Sequence, residues 1–420
     1  MAERLWSFRD QWRDHLKSTH ARGIEAWISE PFARLYGVTK DSRWLEFCGM
    51  IREHLGTCDK GAHAHGFMST LRGLQVAALV TGDRSWNEKP EQNRQLIINK
   101  RFEMPDGGVP EGFPWDSRNE GCAIADWLML NLNAGLILGD DGAYERAERI
   151  FWNALAFNQW ITGGFGHREV TATGYGLHSL EEAWWCCVHN AGMGMSEYAR
   201  HVVTYREGTI RVNFLVPGEY VLPVPDGKEV KVNIRTKYPS QAEATIEAEG
   251  VPPDVKMTLR VPACVRNAQV SRSGGGEKMQ LVFTGELGHR VERHPPGVVL
   301  TYGPLVLVPA SYGFGSPPAT EASRYAPEGY VPESLPSGTP ALKLDRKVDA
   351  DGFVQLDPGP LPAWTYWDEG PQSRTWVAGA VATVPVQLSS GEVRRLRFTP
   401  MCYNTSCLAL FDTPVLLREG

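Results

Sequence analysis

Residues 119–156 read NEGCAIADWLMLNLNAGLILGDDGAYERAERIFWNALA. Cys122, Ala125, Leu128, Leu132 and Leu136 recur at three- and four-residue steps, the spacing of one face of an α-helix. The pattern predicts a helix over 122–138, and 143–158 (AYERAERIFWNALAFN) repeats the period. Between them stands Asp141-Gly-Ala-Tyr144. An aspartate there can cap the next helix by accepting its free N–H groups, and the aromatic three residues on can pack back on the previous helix. Asp41-Ser-Arg-Trp44 and Asp83-Arg-Ser-Trp86 have the same form, and 43–55 and 67–80 are also periodic. Recurring helical hairpins of this kind close on themselves in α/α toroids, whose loops at one end build a pocket. Three unrelated caps would give the same pattern.

Working outward, the composition changes near residue 205. Eleven of the 14 Trp lie before it and 24 of the 29 Pro lie after it. The second half reads as strands, at 209–216, 228–235, 242–249, 255–261, 278–284, 297–309 and 394–399, with Gly, Pro, Asn and Asp between them. Residues 311–342 are rich in Pro, Ser, Gly and Tyr and read as a long surface excursion. The expected fold class is therefore α+β and multidomain. A helical α/α-toroid domain is expected over 1–205, an antiparallel β-sandwich over 206–310, and the excursion with further strands over 311–420.

A chain of 420 residues is too long for one ordinary core, in keeping with this division. A net charge of −6 and the lack of a basic tract argue against nucleic acid as a partner. No run of about eighteen apolar residues occurs, so no membrane span is expected. The N-terminus MAERLWSFRDQWRDHLK is charged throughout, without the apolar core of a secretory signal, so a cytoplasmic location is expected. In that compartment the eight cysteines read as thiols or metal ligands. Cys402 and Cys407, spaced to permit a disulfide, are expected to be two packed thiols.

The most specific chemistry lies in Glu120-Gly-Cys122 together with Cys186-Cys187. Adjacent cysteines cannot easily bond to each other, but both can face one metal where the backbone turns. Three thiolates and a carboxylate suit Zn2+, which accepts tetrahedral sulfur and oxygen donors; iron accepts similar thiolates. The competing reading is that the cysteines pack as small hydrophobes.

The stretch at 119–156, followed by WWCCVHN at 184–190, resembles the β-L-arabinofuranosidase family, glycoside hydrolase family 127. VPACVRNAQV (261–270) and LTYGPLVLVPA (300–310) look like strands of that family's first sandwich, and the resemblance spans most of 24–310. It implies an (α/α)6-barrel-like toroid followed by β-sandwich domains. About seven helices are counted before 205 against twelve in a full ring, so the ring is expected to be shortened at its N-terminal side. A homodimer would close it. The resemblance implies a zinc-dependent retaining glycoside hydrolase, with Cys186 as nucleophile and Glu120, Cys122, Cys186 and Cys187 as metal ligands. It places the acid/base just after a Gly-Gly segment, where Gly107-Gly108-Val-Pro-Glu111 offers Glu111, with Glu103 in reserve. His65, in His63-Ala-His65, stands where the family carries a pocket histidine. Asn190 matches the family's asparagine, whereas His189 stands where the family has proline.

Further candidates for contact with an oligosaccharide or glycoside substrate are His189, Tyr175, His178, Trp115 and Trp184, since aromatic faces stack on sugar C–H surfaces. The glycine-rich run 162–169 (TGGFGHRE) lacks the ending of a phosphate loop and reads as a pocket rim. Two other readings stay open. One is a non-catalytic carbohydrate-binding relative with a structural zinc. The other is a toroid lyase or epimerase using His65, His178 and Tyr175.

Overall fold

Ten α-helical segments precede residue 205 among the described residues: α1 (Ala2–Ser7), α2 (Arg9–Thr19), α3 (Ser29–Thr39), α4 (Ser42–His54), α5 (Ala64–Thr81), α6 (Glu88–Asn99), α7 (Gly121–Leu138), α8 (Asp141–Arg149), α9 (Ala156–Asn158) and α10 (Trp185–His201). The computed structural model describes residues 2–160, 163–181, 184–309, 338–360, 377–404 and 413–420. Cys407 and most of the Pro-rich excursion lie outside them. Met1–Gly194 forms one compact unit. A second begins at Met195, inside α10 rather than at residue 205, and takes in residues 195–309, 338–360 and 377–404.

The helical unit is built around α5 and α7. Both are buried along nearly their whole length, and the polar side chains they carry inward, among them His65 and Arg72 on α5 and Asp126 on α7, are buried with them. By length and composition α7 would pass as a membrane span, but 89% of it is buried inside the protein. It is a core helix. α5 packs between α3 and α7, and the approach to α3 is very close. A Cβ on Gly73 would stand 1.9 Å from Ser29 Oγ and 2.4 Å from the Glu30 backbone nitrogen.

Two of the three Asp caps are as expected. Asp41 Oδ1 accepts from Arg43 N at 3.0 Å and Asp83 Oδ1 from Ser85 N at 2.9 Å. The third cap is Asp140 rather than Asp141, accepting from Gly142 N at 2.9 Å, because Asp141 is already the first helical residue. Trp44, Trp86 and Tyr144 are buried behind these caps. Past α8 the helix widens into a π-helix over Ile150–Leu155. Its start meets Gly107 (φ +88), where a Cβ would lie 3.1 Å from Ile150 N. This contact seats the Gly-Gly loop that leads to Glu111.

Five short strands fold between the helices: β1 (Ala62–His63), β2 (Gly112–Phe113), β3 (Arg118–Glu120), β4 (His167–Val170) and β5 (Gly174–Glu181). β1 pairs antiparallel with β2, β3 with β4, and β4 with β5.

In the second unit an antiparallel five-stranded sheet runs in the order Arg266–Gly275, Lys278–Glu286, Glu243–Glu249, Lys228–Thr236, Gly218–Val224. Thr209–Val212 lies between Val203–Arg206 and a parallel Lys256–Leu259. The expected strand 297–309 is two strands, Gly297–Tyr302 and Leu305–Pro309, because Gly303 (φ +53) and Pro304 turn the chain. Leu305–Pro309 pairs with Val393–Pro400, which pairs with Ala382–Gln387. Strands on both sides of 310–337 thus share one sheet, and the boundary expected at 310/311 falls inside it.

Candidate active site

Glu120 ends β3 and is the N-cap residue of α7, in extended conformation (φ −136°, ψ 148°). Its carboxylate makes no capping bond to that helix, so it is free to point elsewhere. Cys122 follows in the first turn of α7, and Cys186 and Cys187 lie in the first turn of α10. The two helix starts meet because residue 121 is glycine. A Cβ there would stand 3.0 Å from Phe165 Cβ and 3.2 Å from Cys187 Cβ.

One donor atom from each of Glu120, Cys122, Cys186 and Cys187 lies within 4.8 Å of the others. The Cys122 thiol donates to Cys187 Sγ at 3.5 Å. That hydrogen bond is the main cause drawing Cys187 down to about 7, against burial, and it pushes Cys122 up together with burial and the Glu120 charge. Burial is the chief cause raising Cys186 to about 11. Cys122 and Cys187 are buried, whereas Cys186 is half-buried, the only described cysteine that is not fully enclosed. The donors fit a thiophilic dication. Three thiols converge with one carboxylate, and Glu120 Oε1 is buried without a hydrogen bond, a cost a cation would remove.

A second group shares Glu120. His63 Nε2 lies 3.5 Å from Glu120 Oε1 and 3.8 Å from Glu111 Oε1. The β1–β2 ladder pairs His63 with Gly112, and Ala64 N donates to the Glu111 carbonyl, so backbone register brings the side chains together. Glu111 is buried and takes a 2.7 Å hydrogen bond from Arg118 Nη2. On the other side of Glu120, His167 Nε2 lies 3.4 Å from Oε2. Burial disfavours the charged form of His167, but the contact with Glu120 and the nearby negative groups outweigh it, so its pKa is raised.

The other expected residues scatter. Glu103 accepts from Trp127 Nε1 at 3.0 Å and Arg146 Nε at 2.8 Å, a structural anchor rather than a reserve acid. Tyr175, expected at the substrate, is a core residue. It is 2% exposed, and its hydroxyl donates to Asp106 at 2.7 Å and accepts from Asn119 at 3.0 Å. His65 turns toward the helical core. Its Nδ1 meets Asp126, which also takes Ser69 Oγ at 3.0 Å and Arg72, while Arg72 Nε reaches Glu30 at 2.6 Å. The His65 ring still flanks that of His63, with centroids 6.0 Å apart. Trp184 is 40% exposed and packs edge-on against His167. Trp115 is half-buried between β2 and β3, and His189 is exposed on α10. His178 lies in β5, with its side chain outside the described residues.

The sequence reading prefers His65 to His63 as the pocket histidine and gives His167 no role of its own. The available signals were slight: His63 stands two residues before His65, and His167 sits in the glycine-rich run read as a pocket rim.

No family model matches the chain, and no curated protein matches it in sequence. Solved structures do. A GH127 β-arabinofuranosidase aligns at TM-score 0.64 and 16% identity over 93% of this chain and 68% of its own. A GH127 β-L-arabinofuranosidase from Geobacillus stearothermophilus T6 aligns at 0.64 and 14% over 94% and 72%. A structure described as a glycoside hydrolase aligns at 0.66 and 14% over 94% and 75%. The chain has the fold of these proteins, in agreement with the resemblance read from its cysteine motifs.

Proposed function

We propose that this protein is a retaining glycoside hydrolase with Cys186 as nucleophile and Glu111 as acid/base, acting on a terminal β-L-arabinofuranoside or a close relative. The helical unit is read as an α/α toroid and the β unit as carrying a sandwich, the architecture the resemblance implies. One observation carries the reading. In a chain of this fold, four donors that suit zinc converge, and the half-buried one is Cys186.

Glu120, Cys122, Cys186 and Cys187 would hold the metal. When bound, it supplies positive charge that keeps the thiols ionised near neutral pH. The buried pair Cys122 and Cys187 would serve as ligands, and Cys186, half-buried, would be the sulfur that a substrate reaches. In the first step the Cys186 thiolate attacks the anomeric carbon. The C–S bond forms, the bond to the leaving oxygen breaks, and Glu111 gives that oxygen its proton. Arg118, 2.7 Å from Glu111, then balances the new carboxylate. In the second step Glu111 takes a proton from water as the water oxygen attacks the same carbon. The C–S bond breaks, and the Cys186 thiolate returns with the configuration retained. His63, between Glu111 and Glu120, is placed to bond a sugar hydroxyl and to space the two carboxylates.

The test is hydrolysis of 4-nitrophenyl β-L-arabinofuranoside. Wild type is expected to turn over, and Cys186→Ala to lose about a thousandfold or more in kcat. Equal rates in the two proteins would remove Cys186 from the chemistry. Sugar binding that survives in both without turnover would instead favour a non-catalytic carbohydrate-binding protein.

A further inference from the structure

The short carboxylate of an aspartate at a helix N-cap turns back onto the helix, where free N–H groups and the positive end of the dipole attract it; the longer glutamate is not a favoured cap and takes its direction from other contacts. Glu120 occupies that position on α7 and does not turn back. Something else must hold it toward the thiols. Two imidazoles meet it, one at each oxygen: His63 Nε2 at 3.5 Å from Oε1 and His167 Nε2 at 3.4 Å from Oε2. They are not equivalent. The His63 side chain is 35% exposed and sits at the N-cap of α5, whereas the His167 side chain is 5% exposed.

His167 is also the direct ladder partner of Glu120, since the β3–β4 register pairs Arg118 with Glu169, Asn119 with Arg168 and Glu120 with His167. Directly opposed residues on antiparallel strands project from the same face of the sheet. Trp184, two residues before Cys186, packs edge-on against the His167 ring at 6.1 Å. The ladder thus sets the face from which His167 projects, and the indole packs against its ring.

We infer that His167 is a positioning residue, which aims Glu120 at the three thiols and so sets the affinity of the site for its metal. This rests on the reading that these four donors bind a metal. Carboxylate ligands depend on such partners for orientation, and losing one typically weakens binding about 10- to 100-fold.

The experiment is a cobalt(II) titration of the metal-free full-length chain, read by thiolate-to-cobalt and ligand-field absorption, with no substrate present. Two variants separate the nitrogen from the ring. His167→Phe keeps the aromatic contact with Trp184 and removes the donor. His167→Gln keeps a donor of similar reach and removes the ring. Wild type is expected to bind one cobalt with tetrahedral thiolate bands. The Phe variant should bind about 10- to 100-fold more weakly at an unchanged thermal midpoint of the metal-free form, and the Gln variant should recover most of the affinity. Phe binding as tightly as wild type, or Gln binding as weakly as Phe, overturns the inference while leaving the metal reading intact. Wild type failing to bind cobalt overturns both.

Discussion

Cys186 and Cys187 are neighbours in the chain and differ in most of what governs thiol chemistry. Cys187 is buried against Cys122, and Cys186 is half-buried. In metal-free protein, Cys186 is expected to react first with a thiol reagent because access decides: Cys187 is the more acidic thiol, drawn down to about 7, but it is fully buried. Cys48, Cys58 and Cys402, buried and pushed up to about 12, should stay unreactive until the protein unfolds. Peptide mapping of the first labelled cysteine checks this. The inward-facing cluster of His65, Asp126, Arg72 and Glu30 makes a different prediction. Asp126→Ala removes a carboxylate from the buried Arg72 and the acidic partner from His65. About 3–5 kcal/mol should be lost in urea unfolding. The pH dependence follows from His65. Burial lowers its pKa, but Asp126 and other negative neighbours raise it further, to a net position above 6.5. A pKa raised on folding adds stability that is complete below the unfolded value and disappears as pH rises through the folded one. The stability gap between wild type and His65→Gln should therefore be wider at pH 5.5 than at pH 8.5. A gap that widens with rising pH would contradict the assignment.

At the scale of elements, the tightest constraint is the approach of α5 to α3 at Gly73. Even one methyl group meets Ser29 Oγ and the Glu30 backbone inside contact distance. Gly73→Ala should lower stability by about 1–3 kcal/mol despite alanine's better helix propensity, and denaturant midpoints measure it. The long helices were legible in sequence because their apolar faces recur at a fixed period, as in 122–138. The third cap was misplaced by one residue because Asp140 and Asp141 are chemically identical, and only backbone geometry distinguishes a cap from a first turn. Arg266–Gly275 is not marked as a strand by its own periodicity; only the resemblance reads 261–270 as one. Its sequence RNAQVSRSGG lacks apolar alternation, and it lies exposed at the edge of its sheet. Within the site, Glu120, Cys122, Cys186 and Cys187 were legible because the chemistry is written in short local motifs. His167 reaches Glu120 through the β3–β4 pairing, and His63 is brought beside Glu111 by the β1–β2 pairing; these segments are far apart in sequence, which a local motif cannot record.

At the scale of the molecule, the chain carries its candidate chemistry in the helical unit, and the four donors come from the starts of two helices, α7 and α10. Metal binding is then coupled to the stability of that unit. Saturation at a hundredfold excess over Kd should raise its thermal midpoint by roughly 5–10 °C. Calorimetry with and without chelator reads the shift. The central claim, that Glu120, Cys122, Cys186 and Cys187 form one metal site, is tested most directly by elemental mass spectrometry of protein purified without chelator. About one zinc per chain is expected in wild type, with a marked loss in folded Cys187→Ala. Wild-type protein that carries no metal and takes none from added zinc would contradict the claim.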